Sequence, residues 1–410
     1  MGGGPAGLAC ALELRRRGVA GVLVLEREER AGGIPRHCAH QGFGARDLRR
    51  LMSGPRYARR YRELARRAGV RIDEQAMVTG WTTDGTLELT SPGGRYALAP
   101  AVVVLATGCR ERPRAARLVA GSRPAGVMTT GMLQQLVELG GRRVEGRALV
   151  VGAEHVSFSA VFTLARAGAR VIGMTTELPR HQSLGAFYAA VRLRHQTPLW
   201  TRTAVRAIHG YPRVEAVEVE DLDSGRTRTV GCETVVFTAD WIPDHELAVM
   251  AGLELDPGTR GPCVDTALRT ARAGTLAAGN LIHPAEPADI AALSGRHAAG
   301  AAALALRARD AWPAPVTRLV CRPPLRWISP GAVGPAREPP PRGRFLLRAE
   351  QLLGHRQVEV RQAGKCLWRG EVARLGTGRS ARLPARWLNS IDPRAGPAEV
   401  RIVRRKPRAS

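Results

Sequence analysis

Met1-Gly2-Gly3-Gly4-Pro5-Ala6-Gly7-Leu8-Ala9 opens the chain. The pattern Gly2-x-Gly4-x-x-Gly7 belongs to a turn between a buried strand and the helix it feeds. The first glycine permits the tight turn, the second lets backbone approach a pyrophosphate, and the third lets the helix pack closely. The helix is present as Leu8–Arg17, stopped by Gly18, and its N-terminal amides suit a phosphate. The strand has no residues to occupy. A strand-ending Val is expected where Met1 stands, with a few more apolar residues ahead of it, and an in-frame stop codon directly upstream would refute that expectation. Such a strand would lie in the centre of its sheet, and without it two rows of backbone groups stay unpaired at about 1–3 kcal/mol each.

Working outward, Gly21-Val22-Leu23-Val24-Leu25-Glu26 reads as a short buried strand ending in an acid. Glu26 lies 19 positions after Gly7, close to the ~20 at which a ribose-binding carboxylate follows this turn. A basic amphipathic helix is expected around Tyr57–Ala68. A hairpin or meander is expected over Met77–Leu98, where polar and apolar residues alternate between turn glycines. Ala101–Gly108, apolar as far as Ala106, reads as a parallel strand buried on both faces. A second strand–turn–helix unit runs from Ala148 through a helix at Ser157–Ala167 to a strand at Ala169–Met174. A further meander is expected in Val205–Val230, buried strands at Thr234–Thr238 and Gly274–Asn280, and a long helix from about Ala285 to Arg309. Beyond Asp310, Pro-rich linkers bracket short alternating segments such as Gln357–Arg361 and Val400–Val403.

These elements predict an α/β fold class: two Rossmann-like three-layer ββα domains with β-meanders, plus a small all-β C-terminal module, the first strand of the first domain missing. The expected boundaries are 1–115 with 240–310 for one nucleotide domain, 116–239 for the other, and 311–410 for the module. A chain of 410 residues is long enough for two or three cores.

The formal charge of +26 comes from 62 basic and 36 acidic residues, and only Lys365 and Lys406 are lysines. Arg and Lys serve phosphate binding alike, so the bias points to a GC-rich genome and a solvated Arg-rich surface rather than to nucleic acid. An acidic partner stays open as the alternative. No stretch reaches the ~18 apolar residues that span a bilayer, and no signal peptide is visible. The seven cysteines are dispersed without a C-x-x-C pair. That argues against a metal or iron–sulfur site and is the pattern of a reducing, cytoplasmic setting.

The second glycine turn, Gly152-Ala153-Glu154-His155-Val156-Ser157, is degraded. Glu154 stands where a pyrophosphate needs glycine, its carboxylate repelling phosphate, and Ser157 replaces the packing glycine. The turn therefore serves either as a framework without NAD(P) or as an altered NAD(P) site.

Two such turns about 150 residues apart, an Ala106-Thr107-Gly108 strand between them and a strand ending in Gly279-Asn280 after them resemble the pyridine-nucleotide:disulfide oxidoreductase superfamily of two-dinucleotide flavoproteins. Residues 1–310 carry the resemblance. Within it the chain is similar to the flavoprotein subunits of sarcosine oxidase, opine oxidase and hydrogen cyanide synthase, and to proteins named with anaerobic glycerol-3-phosphate dehydrogenase. The segments that carry this closer likeness are Gly32-Gly33-Ile34 with Cys38-x-His40-x-Gly42-Phe43-Gly44, then Gly54-Pro55-x-Tyr57-Ala58, Ala106–Pro113, Arg123–Gly131 and Ile242–Leu247.

The resemblance implies FAD on the first turn. Gly2, Gly4, Pro5, Ala6 and Gly7 would hold its pyrophosphate, Glu26 its ribose, and Gly33, Thr107 and Gly108 would complete the cradle. Gly279-Asn280 stands where the family has Gly-Asp; Asn280 still accepts a hydrogen bond from the ribityl chain but brings no charge. The helix that follows would direct its N-terminal dipole at the flavin pyrimidine. In disulfide reductases of the family a C-x4-C pair follows Gly32-Gly33. Here Cys38 has no such partner, so dithiol chemistry is not expected. Cys38 is a buried packing residue or lines the flavin face. His37 and His40 order their loop, or one of them accepts a proton near flavin N5. His283 and Glu286 face the flavin or cap the long helix.

The functional expectation is an FAD-dependent oxidoreductase that takes hydride from the C–H beside an amine or alcohol of a small-molecule substrate. Electrons would leave to an acceptor or partner subunit. An NAD(P)H-dependent flavin reductase and a non-catalytic flavoprotein or scaffold are the alternatives. The first predicts bleaching by NADH or NADPH; the second predicts flavin that no substrate reduces.

Overall fold

The structure is a computed structural model that describes residues 1–183, 185–307 and 312–403. It divides into two compact units. The first comprises residues 1–36, 41–109 and 243–410, so the C-terminal module clusters with the first nucleotide domain. The second comprises residues 37–40 and 110–242.

In the first unit, α1 (Pro5–Arg16) follows the opening turn and leads to β1 (Leu23–Leu25). Helix α2 (Gly54–Arg67) buries Tyr57, Ala58, Tyr61 and Ala65, a helical spacing, and exposes Arg56, Arg59, Arg66 and Arg67. After it come β2 (Arg71–Asp73), the expected meander at 77–98, β3 (Val103–Leu105), β4 (Thr275–Ala277) and α3 (Ala288–Arg307). Residues 308 and 309 of the long helix expected there lie outside the described residues.

β1 pairs parallel with β2, and β4 with β3, as two separate pairs. Met1 and Gly2 link them. The Met1 ammonium donates to Val104 O (2.8 Å), Met1 O accepts from Ala106 N (2.8 Å), and Gly2 N donates to Leu25 O (2.9 Å). Met1 thus occupies the position of the last residue of a strand between β1 and β3.

α3 approaches the backbone of α1 at Ala6 because Gly295 carries no side chain there, while Gly7 lets α1 close on its own turn. A Cβ on Gly295 would stand 1.9 Å from Ala6 O, and one on Gly7 1.9 Å from Gly2 O. The C-terminal part forms a five-stranded and a three-stranded sheet over one apolar core, in which Phe345 stacks on Trp387 at 5.1 Å. The expected all-β texture is what forms.

In the second unit, strands 127–129, 234–237, 147–151, 170–175 and 199–200 make one parallel sheet in that order. Thr234–Phe237, buried at every residue, lies inside the sheet. The meander expected in 205–230 is present as strands 203–209, 216–221 and 227–231.

Candidate functional site

The residues expected to hold FAD come together in the first unit. Gly4 caps α1 with no side-chain hydrogen bond, so the first-turn amides are left for a ligand anion. The Gly32-Gly33 loop lies directly on this turn: Gly32 N donates to Gly3 O (2.7 Å), and a Cβ on Gly33 (φ +61°) would fall 2.9 Å from Gly4 Cα. No side chain fits between them.

Glu26 is buried at the end of β1. Its carboxylate accepts from Gly3 N and Glu28 N, both at 2.9 Å. Burial raises its pKa, against the lowering effect of those two amides. The acid is therefore fastened to the glycine turn, and each oxygen keeps a lone pair for ribose hydroxyls.

Thr107 Oγ donates to Asp244 O (2.7 Å), which anchors the Thr107-Gly108 turn. Gly108 has φ +82° and open space where a Cβ would be. Gly279 (φ +72°) lies against α1, its Cβ position 2.7 Å from that of Ala6, and its N–H donates to Ser294 Oγ on α3 (3.0 Å). Asn280 is more engaged than a ribityl ligand needs. It donates to Glu286 O (3.0 Å) and accepts from Glu286 N (2.8 Å), leaving one N–H and one lone pair of the carboxamide. These residues fit a dinucleotide: a bare helix end, a glycine contact that excludes side chains, and a buried acid at the ribose distance in sequence.

Two features here had only faint sequence signals. Asp47 is buried and accepts from Tyr57 OH (2.5 Å) and Tyr61 OH (2.7 Å), while Arg46 grips Asp289 in the first turn of α3 at 2.9 Å. The i, i+4 tyrosines of α2 were the visible signal; the acid they share was not. Ser294 was the other omission, since a serine in an Ala-rich helix has no local mark.

Cys38, His37 and His40 belong to the second unit. The Cys38 thiol is buried, contacts Gln134 Oε1 at 3.3 Å, and is pushed up to about 12 by burial first and then by Glu111 and Glu138. Gln134 in turn donates to Ser159 Oγ (2.8 Å). His37 is buried and His40 half-buried. The thiol is thus a neutral hydrogen-bonding group at neutral pH. Among the described residues no group of His, Cys, Asp or Glu could hold a metal.

The second turn is closed by its own side chains. Glu154 caps the helix His155–Ala167 in a reciprocal capping box with Ser157, whose Oγ accepts from Glu154 N (3.0 Å). That Oγ also bonds Thr238 Oγ1 (2.6 Å), and a Cβ on Gly152 would strike Thr238 Oγ1 at 2.0 Å. Ala153 O accepts from Gln182 N (2.9 Å), and Ser183 Oγ bonds His155 Nδ1 (2.6 Å). A carboxylate thus caps the helix end of the second turn, where the family's glycine would stand.

The profile of the family described as pyridine nucleotide-disulphide oxidoreductase matches residues 1–303. An opine oxidase subunit from Agrobacterium tumefaciens is 28% identical over 337 residues, 74% of this chain and 64% of that protein. Hydrogen cyanide synthase subunit HcnB of Pseudomonas aeruginosa is 31% identical over 179 residues, 42% of this chain and 37% of that protein. The chain thus spans less than two thirds of these relatives' lengths. Among solved structures, thioredoxin reductase from T. acidophilum shares the fold, with a TM-score of 0.60 at 21% identity over 75% of this chain and 96% of that one. No described helix is long and apolar enough to cross a membrane. The chain belongs to the pyridine nucleotide-disulphide oxidoreductase family, a family of FAD-dependent oxidoreductases.

Proposed function

We propose that this chain oxidises a small amine or hydroxy acid at FAD and does not draw its electrons from NAD(P)H. The carrying observation is the Glu154 cap on the second turn, which places a carboxylate at the helix end that a dinucleotide phosphate would use. Cys38, alone after Gly32-Gly33 and held as a neutral thiol, supports the same reading by offering no dithiol to exchange.

Bound FAD supplies the hydride acceptor, N5. The chain's residues then have three roles. The first turn of α1 and Glu26 hold the cofactor; Gly32-Gly33 and Gly279 keep side chains out of its path; His37 or His40 takes the proton released from the amine or hydroxyl as the C–H bond breaks. A partner subunit or separate acceptor reoxidises the cofactor.

The experiment is an anaerobic titration of the FAD-loaded protein. The flavin band bleaches with the right amine or hydroxy acid and is indifferent to NADH and NADPH. Rapid bleaching by NADH or NADPH would refute the proposal in favour of a flavin reductase. Flavin that no donor reduces would leave a non-catalytic flavoprotein.

A further inference from the structure

The loop after Gly279 meets the C-terminal module across a small cleft open to solvent. Asn280, His283, Glu286 and Ser294 line it from the nucleotide domain, and Arg342 and Arg344 from the module. The module's contribution is unusual in its charge. Arg342 feels Arg344, Arg382 and Arg46 as repelling neighbours and Asp289 as an attracting one; Arg344 feels Arg382; Arg379 feels Arg374, Arg382 and Arg46 against the attraction of Glu286. Burial first and these like charges next hold all three guanidinium pKa values below normal. Among the described residues the only acid lining the cleft is Glu286, whose pKa burial raises against the lowering effects of a Ser380 hydrogen bond and of Arg348, Arg342 and Arg382. Arg46 is already paired with Asp289.

Arg342 itself has φ +63°, a strained conformation for a side chain-bearing residue. His283, 6% exposed, stacks on Trp327 of the module (ring centroids 5.6 Å apart, 25° between planes), and the Arg348 guanidinium lies 5.0 Å from the Trp327 ring centroid. The Nδ1 of His283 is buried, and its ring has no hydrogen-bond partner among the described residues beyond its own backbone. Burial and then Arg348 push its pKa down to about 3, so the ring stays neutral.

Like charges held together, beside a buried nitrogen with no partner beyond its own backbone, lower their energy when an anion joins them. The guanidinium is planar and matches a carboxylate in two parallel hydrogen bonds. We infer that Arg342 and Arg344 of the C-terminal module bind a carboxylate of the substrate at the cleft beside Gly279-Asn280, with His283 hydrogen-bonding the same ligand. This rests on the proposed oxidation and narrows its substrate to an anionic amino or hydroxy acid. The module then has a function of its own, reading the charged end of the molecule.

The probes are succinate, inorganic phosphate and the uncharged succinamide, titrated by calorimetry in low-salt buffer into the FAD-loaded full chain. Succinate binds and succinamide does not. The double variant Arg342→Ala/Arg344→Ala weakens succinate by about tenfold or more, with flavin content unchanged. The pair Arg342→Lys/Arg344→Lys, which keeps the charge without the fork, weakens it by about fivefold and decides the matter should the alanine pair not fold. Arg356→Ala, on an exposed strand residue of the module, leaves it as in the parent. Equal succinate affinity in parent and variants, preference for phosphate over succinate, or loss of flavin with the succinate response intact would each overturn the inference. A protein that binds succinate through these arginines yet is bleached only by NADH keeps the site and refutes the donor reading instead.

Discussion

Gly295→Ala gives the sharpest test of how the cofactor cradle is held. In an isolated helix this change is stabilising by about 1 kcal/mol, since alanine is the better helix former. Here the new Cβ would stand 1.9 Å from Ala6 O, 2.7 Å from Ala6 C and 2.9 Å from Ala6 Cα, whereas real contacts stay above 3.0 Å. α3 must therefore withdraw from α1 by about 1.1 Å at that point. The obstructing atoms are backbone, so no rotamer change relieves them, and overpacking of this kind costs about 3 kcal/mol at the upper end of its range. The net is a destabilisation of about 2 kcal/mol, or a Tm lower by about 4–8 °C for a domain of this size. The displaced residue, Ala6, lies in the turn proposed to hold the pyrophosphate. Loss of one charge-assisted hydrogen bond there weakens FAD by about tenfold. Thermal melts of parent and variant, together with the flavin-to-protein absorbance ratio after gel filtration, measure both effects. A variant as stable as its parent with full flavin retention would show that the helices are not in the close contact described.

Glu154→Gly replaces the cap of the second-unit helix by a residue that itself tolerates the N-cap position; a loss of only about 0.3 kcal/mol in a denaturant melt is expected, together with NADH binding that the parent lacks, read by quenching of protein fluorescence. An unchanged indifference to NADH would mean that the carboxylate is not what bars the site. Cys38 has a thiol pushed up to about 12, so about one molecule in ten thousand carries the thiolate at pH 8. Brief iodoacetamide treatment should label exposed Cys366 and spare Cys38, by peptide mass mapping; prompt labelling of Cys38 contradicts its described burial. Glu26 titrates above its ordinary value of 4.5 because it is buried. The folded protein holds this proton to higher pH than the unfolded chain does. The Glu26 contribution to folding is therefore greatest below pH 4.5 and is lost as pH rises through the folded value. Glu26→Gln should flatten that limb of the stability–pH curve of the cofactor-free protein, and an unaltered curve would count against the raised pKa.

The readable parts of this chain were those whose physics is local. A glycine turn, an acid 19 positions on, and apolar runs bounded by turns each state their own conformation, and the structure has strands and helices at these places. What stayed hidden depends on partners far away in sequence. Asn280 looks available in the sequence, but its carboxamide is tied to Glu286 by the path of the loop. Glu154 was legible as an obstacle to phosphate, yet its use as a cap depends on Ser157 adopting the matching rotamer. Arg342 and Arg344 are two among many arginines until the module folds and sets them beside His283. The segment 37–40 follows Gly33 closely, yet it is counted with residues 110–242, because its contacts, such as Cys38 with Gln134, are long-range.

Asp47 accepts from two phenols at once, and Arg296 donates to the second of them at 3.0 Å. A loop pinned in this way has already given up its conformational entropy before any cofactor arrives. Loading is then a matter of encounter rather than of rearrangement. Flavin uptake by the cofactor-free protein should follow one exponential whose rate rises in proportion to FAD concentration, and Tyr61→Phe, by releasing half of the pin, should bring in a slower phase that no longer depends on it.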